Sequence, residues 1–374
     1  MEHISKKIEF PIKESVDANT GSLSFPIHQT SAFLMPEGEK YRYSRELNPT
    51  VEELGRIIAL LERTEAATCF ASGMGAISTT LFALAKPGST VLVHKDTFAR
   101  TYKLITDFMS KWGIKAMVPE MGNDALVRAA SRADIVFLES ITNPVLRVYD
   151  VRAVAEEVHS NNGILVVDET FATPINQSAG ELGADVVIQS LSKFISGHND
   201  VIGGSAAGNK EIITRIDNLR RTLGATMDPN TAFLTLRGIK TLKTRMHQIN
   251  SSALEIAEKL RSMKGFSNIR YPGLKEHPDY EIAMRTLRAY GGVVTFDLNI
   301  SGDPLAAMKN MEIVTPANTL GGVNSTISHP STMSHRSLNG QEKSELGLGN
   351  GTFRLSVGLE EPEAIIEDLK KMVS

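Results

Sequence analysis

Residues 163–198 read GILVVDETFATPINQSAGELGADVVIQSLSKFISGH. The apolar run ILVV ends in Asp168, the signature of a buried strand that delivers a carboxylate at its C-terminal end. A second apolar run, DVVIQ, delivers Ser190, Ser192 and Lys193 at its own end. Both runs are expected to be strands of one parallel sheet. A carboxylate, two hydroxyls and an amine then converge at one sheet edge. That set suits an aldehyde-bearing, phosphorylated pyridine: the lysine forms a Schiff base, the hydroxyls hold the phosphate, and the carboxylate keeps the ring nitrogen protonated.

Outward from this stretch, short apolar runs alternate with helical patterns from about residue 66 to 210: AATCF, TVLVH, IKAMV, DIVFLES, ILVVDE and DVVIQS. The alternation predicts βα units and a mostly parallel sheet, hence an α/β fold. VEELGRIIALLE, upstream, has helical spacing. Ile239, Leu242, Met246, Ile249, Ala253, Ile256, Leu260 and Met263 step by three or four residues, the stripe of a long packed helix that crosses between two domains. GGVVTFDL, MEIVTP and TFRLSVG read as strands of a smaller α+β domain, closed by the helix EPEAIIEDLKKMV. The expected division is an N-terminal arm (1–55), a large domain (56–240) and a C-terminal domain (241–374). The arm contains TGSLSFPIHQTSAFLMPEGEKYRYSRELNPT, long and irregular, as functional or partner-ordered segments are.

With 374 residues the chain is long enough for two domains. Lys+Arg 40 nearly balance Asp+Glu 43, so neither nucleic acid nor a membrane surface is an expected partner. Cys69 is the only cysteine, which excludes an intrachain disulfide and fits a reducing compartment. No apolar run is long enough to span a bilayer, and MEHISKKIEF lacks a secretory core. A cytoplasmic enzyme is the expected class.

FASGMGAIS (70–78) follows a strand and opens a helix, so the amides of Gly73 and Met74 face an anion with the helix dipole behind them. Alone this pattern is weak; Ser190 and Ser192 give it weight by reaching the same anion. Asp168 is equally able to cap its own turn with Thr170. Asn143, in ESITNP, either hydrogen-bonds a phenolic oxygen of the cofactor or belongs to a plain turn. Arg354, in the alternating TFRLSVG, either pairs with a protein carboxylate or forks a substrate carboxylate. Tyr43 and Arg45, in YRYSR, suit a phosphate, though such patches are commonly surface. His198, His277, His329 and His335 have no metal-ligand spacing, and no metal is expected.

Taken in order, YSRELNPTVEELGRIIALLE, FASGMGAIS, ESITNP, VVDETFATP, SLSKFISGHND, RGIKTL, YPGL, TLGGVNSTISHP and FRLSVGLE resemble the motifs of the pyridoxal-phosphate enzymes of cysteine and methionine metabolism. That family includes cystathionine γ-synthase, cystathionine γ-lyase, methionine γ-lyase and homoserine sulfhydrylases. The resemblance runs from about residue 19 to the C-terminus. It implies a fold-type-I, aspartate-aminotransferase-like subunit with pyridoxal 5'-phosphate on Lys193 and Asp168 at the pyridine nitrogen. Gly73, Met74, Ser190 and Ser192 would hold the phosphate. Tyr43 and Arg45 would reach the phosphate of a neighbouring subunit, within a homotetramer built as a dimer of dimers. Asn143 and Arg354 would bind the substrate carboxylate.

Two departures from the family pattern bear on chemistry. FARTY (98–102) stands where the family has YGGTY, so the ring-stacking tyrosine is Phe98, which stacks but moves no proton. TLGGVNS replaces SLGGVES, so Thr319 keeps a hydroxyl and Asn324 loses a charge that helps some members choose a distal ammonium group. The expected reaction is γ-replacement on an O-activated homoserine with cysteine to give cystathionine. Elimination from cystathionine or methionine is the alternative. A non-catalytic or nucleotide-binding α/β protein is disfavoured, because the glycines match neither G-x-G-x-x-G nor a P-loop.

Overall fold

Seven strands build the larger sheet: β1 (Ala66–Phe70), β2 (Thr90–Val93), β3 (Lys115–Met117), β4 (Ile135–Glu139), β5 (Ile164–Asp168), β6 (Val186–Gln189) and β7 (Gly204–Gly208). Their spatial order is β1-β7-β6-β5-β4-β2-β3, and all pairings are parallel except those of β7. The computed structural model describes residues 16–34, 40–300, 302–336 and 338–373. Of the expected N-terminal arm, residues 1–15 and 35–39 lie outside the described residues.

Both faces of this sheet are covered, which is why its strands read as unbroken apolar runs. Ile135, Phe137, Val166, Val186 and Ile188 pack on one face with Ile77 and Leu81 of the helix Gly73–Leu84. Val136, Leu138, Leu165, Val167 and Val187 pack on the other with Val154 and Val158 of the helix Val151–His159. Alternate residues serve opposite faces, as the pleat requires. The six strands expected from apolar runs are all present. The seventh, β7, has the sequence GSAAG and no apolar run to betray it. Its glycines are needed for close approach: a Cβ on Gly204 would stand 2.4 Å from the Ser72 carbonyl oxygen, and one on Gly208 2.3 Å from that of Asp185.

The 32-residue helix Pro229–Leu260 links this sheet to a five-stranded one. Asp228 caps it, accepting from the amides of Asn230 and Thr231, and the stripe from Ile239 to Leu260 is buried. Ile239, Leu242, Met246 and Ile249 join Leu54, Ile57, Ile58 and Phe194, whereas Ala253, Ile256 and Leu260 join the C-terminal core. The second sheet has β8 (Phe266–Arg270), β9 (Val293–Leu298), β10 (Thr315–Pro316), β11 (Thr326–Ser328) and β12 (Thr352–Ser356), ordered β10-β11-β12-β9-β8.

The expected strand MEIVTP is largely absent: only Thr315–Pro316 pairs. The amides of Glu312, Ile313 and Val314 instead donate to the carboxylate of Asp368, at 2.8–3.1 Å, so they do not enter a ladder. Strands β8 and β11 lack strong patterning and arise from pairing with β9 and β12. Among the described residues, no helix is long and apolar enough to cross a membrane.

Candidate active site

The C-terminal ends of β4, β5 and β6 meet at one cavity, as is usual for ligand sites of parallel sheets. The β4–β5 register sets Glu139 beside Asp168. Ser190 follows β6, and a tight turn closed by Lys193 N–H donating to the Ser190 carbonyl at 3.1 Å brings Ser192 and Lys193 back toward the same space. The cavity is about 270 Å³, and Gly73, Met74, Phe98, Asn143, Asp168, Ser190, Ser192 and Lys193 are among its lining residues.

Lys193 is half-buried, and among the described residues no carboxylate lies within ion-pair distance of it. Among the described residues its one polar side-chain contact is a long one, 3.5 Å from Nζ to Thr319 Oγ1. Burial, then the positive charge of Arg354, brings its pKa down to about 8. A lysine so perturbed is a nucleophile for an aldehyde near neutral pH. Asp168 Oδ1 accepts from the Thr170 amide at 3.0 Å, so the turn-capping contact expected as an alternative role is made. Burial still holds its carboxyl above the usual range, with Thr170 pulling the other way. Among the described residues no Lys, Arg or His forms an ion pair with it. The cavity is thus lined by an ammonium without an anion and a carboxyl without a cation, an arrangement that burial disfavours unless a bound group supplies both partners.

A further wall, against Ser190, is a helix N-terminus. Ser72 caps the helix Gly73–Leu84 by accepting from the Gly75 amide. The first amides, of Gly73 and Met74, have no intrahelical acceptor. A Cβ on Gly73 would sit 3.2 Å from Cβ and Oγ of Ser190, so glycine lets the turn close against that serine. The Ser190 amide donates to Thr170 Oγ1 at 2.9 Å, fixing the residue, while Ser192 Oγ accepts from the Gly203 amide at 3.0 Å. Amides and hydroxyls without a facing carboxylate fit a phosphate, and the unmatched Lys193 and Asp168 fit an aldehyde and a pyridine nitrogen. The residues present therefore fit pyridoxal 5'-phosphate.

Arg354, on β12, is buried. Its Nη1 donates to Asn143 Oδ1 at 2.9 Å and its Nη2 to the Thr319 carbonyl at 3.0 Å, while Nε is buried without a partner. Burial lowers its pKa to about 10. Among the described residues neither a carboxylate nor an ion pair claims it, so the pairing with a protein carboxylate that its sequence position left open is not made there. With Asn143 Oδ1 occupied by Arg354, the amide NH₂ of Asn143 is left for a ligand. Phe98 lines the cavity at the start of the short helix Ala99–Lys103.

Three expected residues stand apart from this cavity within one chain. Tyr43 is 45% exposed with the Arg45 guanidinium over its ring, and Arg45 Nη1 donates to the Arg221 carbonyl at 2.7 Å. Asn324 is exposed and its Oδ1 accepts from Asn199 Nδ2 at 2.9 Å. Glu139, by contrast, was not singled out from the sequence although it lines the cavity. The signal available was its place at the end of IVFLE, one strand over from Asp168. Among the described residues no group of His, Cys, Asp or Glu side chains could hold a metal ion.

The family model described as Cys/Met metabolism PLP-dependent enzyme matches residues 9–374. The cystathionine beta-lyase of Lactococcus lactis subsp. cremoris (strain MG1363) is 35% identical over 363 residues, covering 96% of this chain and 95% of that protein. The L-methionine gamma-lyase of Fusobacterium nucleatum subsp. polymorphum is 36% identical over 370 residues, covering 94% and 93%. Among solved structures, cystathionine gamma synthase from Xanthomonas oryzae pv. oryzae in complex with aminoacrylate and cysteine superposes with a TM-score of 0.94 at 31% identity, over 98% of this chain and 97% of that one.

Proposed function

Because this chain belongs to the Cys/Met metabolism PLP-dependent enzymes, a trans-sulfuration family of transferases and carbon–sulfur lyases with the fold-type-I architecture, we propose that it catalyses γ-replacement on an O-activated homoserine with cysteine, forming cystathionine. Its cofactor is pyridoxal 5'-phosphate. The observation that carries the site assignment is the pairing of an anion-free Lys193 with a cation-free Asp168 in one cavity.

When bound there, pyridoxal 5'-phosphate supplies an electron sink that acidifies the substrate's Cα–H. Lys193 would hold the cofactor aldehyde through Nζ and Asp168 the proton of the ring nitrogen. Gly73 and Met74 amides with Ser190 and Ser192 would hold the phosphate. Arg354 and Asn143 orient the substrate carboxylate, and Thr319 flanks Lys193. Lys193 Nζ would carry protons at the substrate's Cα and Cβ, giving up the first before it takes the second. The γ-substituent leaves with its bonding pair, a cysteine thiolate adds at Cγ, and the proton steps reverse. Phe98 stacks without donating a proton. Departure from that side therefore has no phenolic acid, which favours an ester that leaves as a stable anion. Arg100, exposed and two residues along the chain from Phe98, would pair with such an anion. Tyr43 and Arg45 reach a neighbouring subunit's phosphate, Asn324 lies at the distal end of the substrate, and the enzyme works as a cytoplasmic homotetramer.

Elimination is the second reading, favoured by the lyase names of the Lactococcus and Fusobacterium relatives. Assay of the purified protein with a homoserine ester plus cysteine, and separately with cystathionine alone, distinguishes the two. Brisk cleavage of cystathionine without its formation overturns the replacement reading.

A further inference from the structure

Glu139 has no part in the chemistry above, yet both oxygens of its side chain on the cavity wall are engaged. It is 5% exposed and its two oxygens each take a backbone amide. Oε1 accepts from Phe98 N–H at 2.7 Å and Oε2 from Asn143 N–H at 3.3 Å. The first amide opens the helix that presents the Phe98 ring; that helix has no side-chain cap of its own. The second belongs to Asn143, whose Oδ1 holds Arg354.

Glu139 is itself clamped from behind. Its N–H donates to His94 Nε2 at 3.0 Å, which assigns the imidazole proton to Nδ1. His94 Nδ1 lies 2.9 Å from Asp96 Oδ1, which also accepts from the Tyr149 hydroxyl at 2.8 Å. His94, Asp96 and Tyr149 are all buried. The end of β4 is therefore held by a chain of buried contacts, and its carboxyl reaches forward to two separate loops.

We propose that Glu139 is a positioning residue, a single carboxyl group that sets the stacking ring of Phe98 and the carboxylate-binding pair Asn143 and Arg354 in fixed relation to each other across the cavity. The inference rests on the roles proposed for those three residues. Only a side chain with two acceptor oxygens satisfies both amides; a carboxamide satisfies one. Burial, then the neighbouring Asp168, raises the pKa of the Glu139 carboxyl, and the amides of Phe98 and Asn143 pull the other way by favouring the form with two acceptor oxygens.

Amide hydrogen exchange of the full-length protein, read alongside KM and kcat, tests this. In Glu139→Ala, exchange at Phe98 and Asn143 should quicken about tenfold or more while β5 keeps its protection. KM for the amino-acid substrate should rise about tenfold, with a smaller fall in kcat. Glu139→Gln, a near-isostere that folds if the alanine variant does not, should keep one of the two amides protected and release the other. Wild-type protection of both amides in either variant overturns the inference. A wild-type protein with no visible band from bound cofactor overturns the functional reading instead, and the exchange result stands apart from it.

Discussion

Asp168 and Asp368 are both aspartates set against apolar cores, and they are treated oppositely. Asp368 is 2% exposed, accepts from the amides of Glu312, Ile313 and Val314, and pairs with Lys371 at 3.0 Å. Burial pushes its carboxyl up, but those amides and Lys371 outweigh it and leave it below the usual range. Asp168 has Thr170 and, among the described residues, no cation, and burial wins. A buried charge whose partners are all in the chain does structural work. One whose partner is missing from the chain marks the place of a ligand. The same contrast separates Lys371, matched to Asp368, from Lys193, matched to nothing acidic.

Substitution at the unmatched pair should remove function and spare the fold, and substitution at the matched one should do the reverse. The largest effect belongs to Lys193→Ala: loss of the visible cofactor band and a fall in turnover of about 10³-fold or more. A band that survives in that variant breaks the comparison. Next is Asp168→Asn, with turnover down about 10²-fold or more and cofactor held weakly. An acid whose folded pKa is raised binds more protons folded than unfolded, so it costs stability as pH rises past the ordinary carboxylate range. The cofactor-free Asp168→Asn protein should accordingly melt at or above the wild-type temperature at pH 7.

Asp368→Ala should leave kcat unchanged and destabilise by about 2–3 kcal/mol, since three amides lose their acceptor. Its folded pKa is depressed, so its contribution is present above the ordinary carboxylate range and is lost as pH falls through the folded value. Denaturation curves of the variant and wild type should therefore converge in acid. Lys193 sharpens the contrast through pH: with its pKa at about 8, the rate of cofactor capture by the empty protein should climb with pH and level off above that value. A flat profile from pH 6 to 9 contradicts the assignment. The smallest effect is expected of Phe98→Tyr, a change of a few-fold in the ratio of elimination to replacement with the melting temperature unmoved.

Legibility followed the density of apolar patterning. Strands β4, β5 and β6 declared themselves because both sheet faces are buried, so IVFL, ILVV and VVI had to be apolar up to the last residue of each strand. At the ends of β5 and β6 the polar residues were conspicuous beside a lysine and hydroxyls, and Asp168, Ser190 and Lys193 were found that way. Strand β7 was invisible because Gly204 and Gly208 answer to steric contact with Ser72 and Asp185, not to hydrophobicity. MEIVTP looked like a strand because the pattern cannot show that Asp368, far along the chain, takes its amides. Glu139 was overlooked because one more acidic residue ending a strand has no distinctive spacing.

The sequence by itself determined the βα alternation, the long linking helix, and the set of an amine, a carboxylate and hydroxyls at strand ends, together with the ordered motifs of the family. Local periodicity and residue chemistry are enough for those. The tertiary structure alone decided which of these charges go unmatched, that Arg354 turns to Asn143 and not to an acid, and that Glu139 ties two loops together. Such facts depend on distances between residues remote in sequence, and desolvation and hydrogen bonding act through those distances.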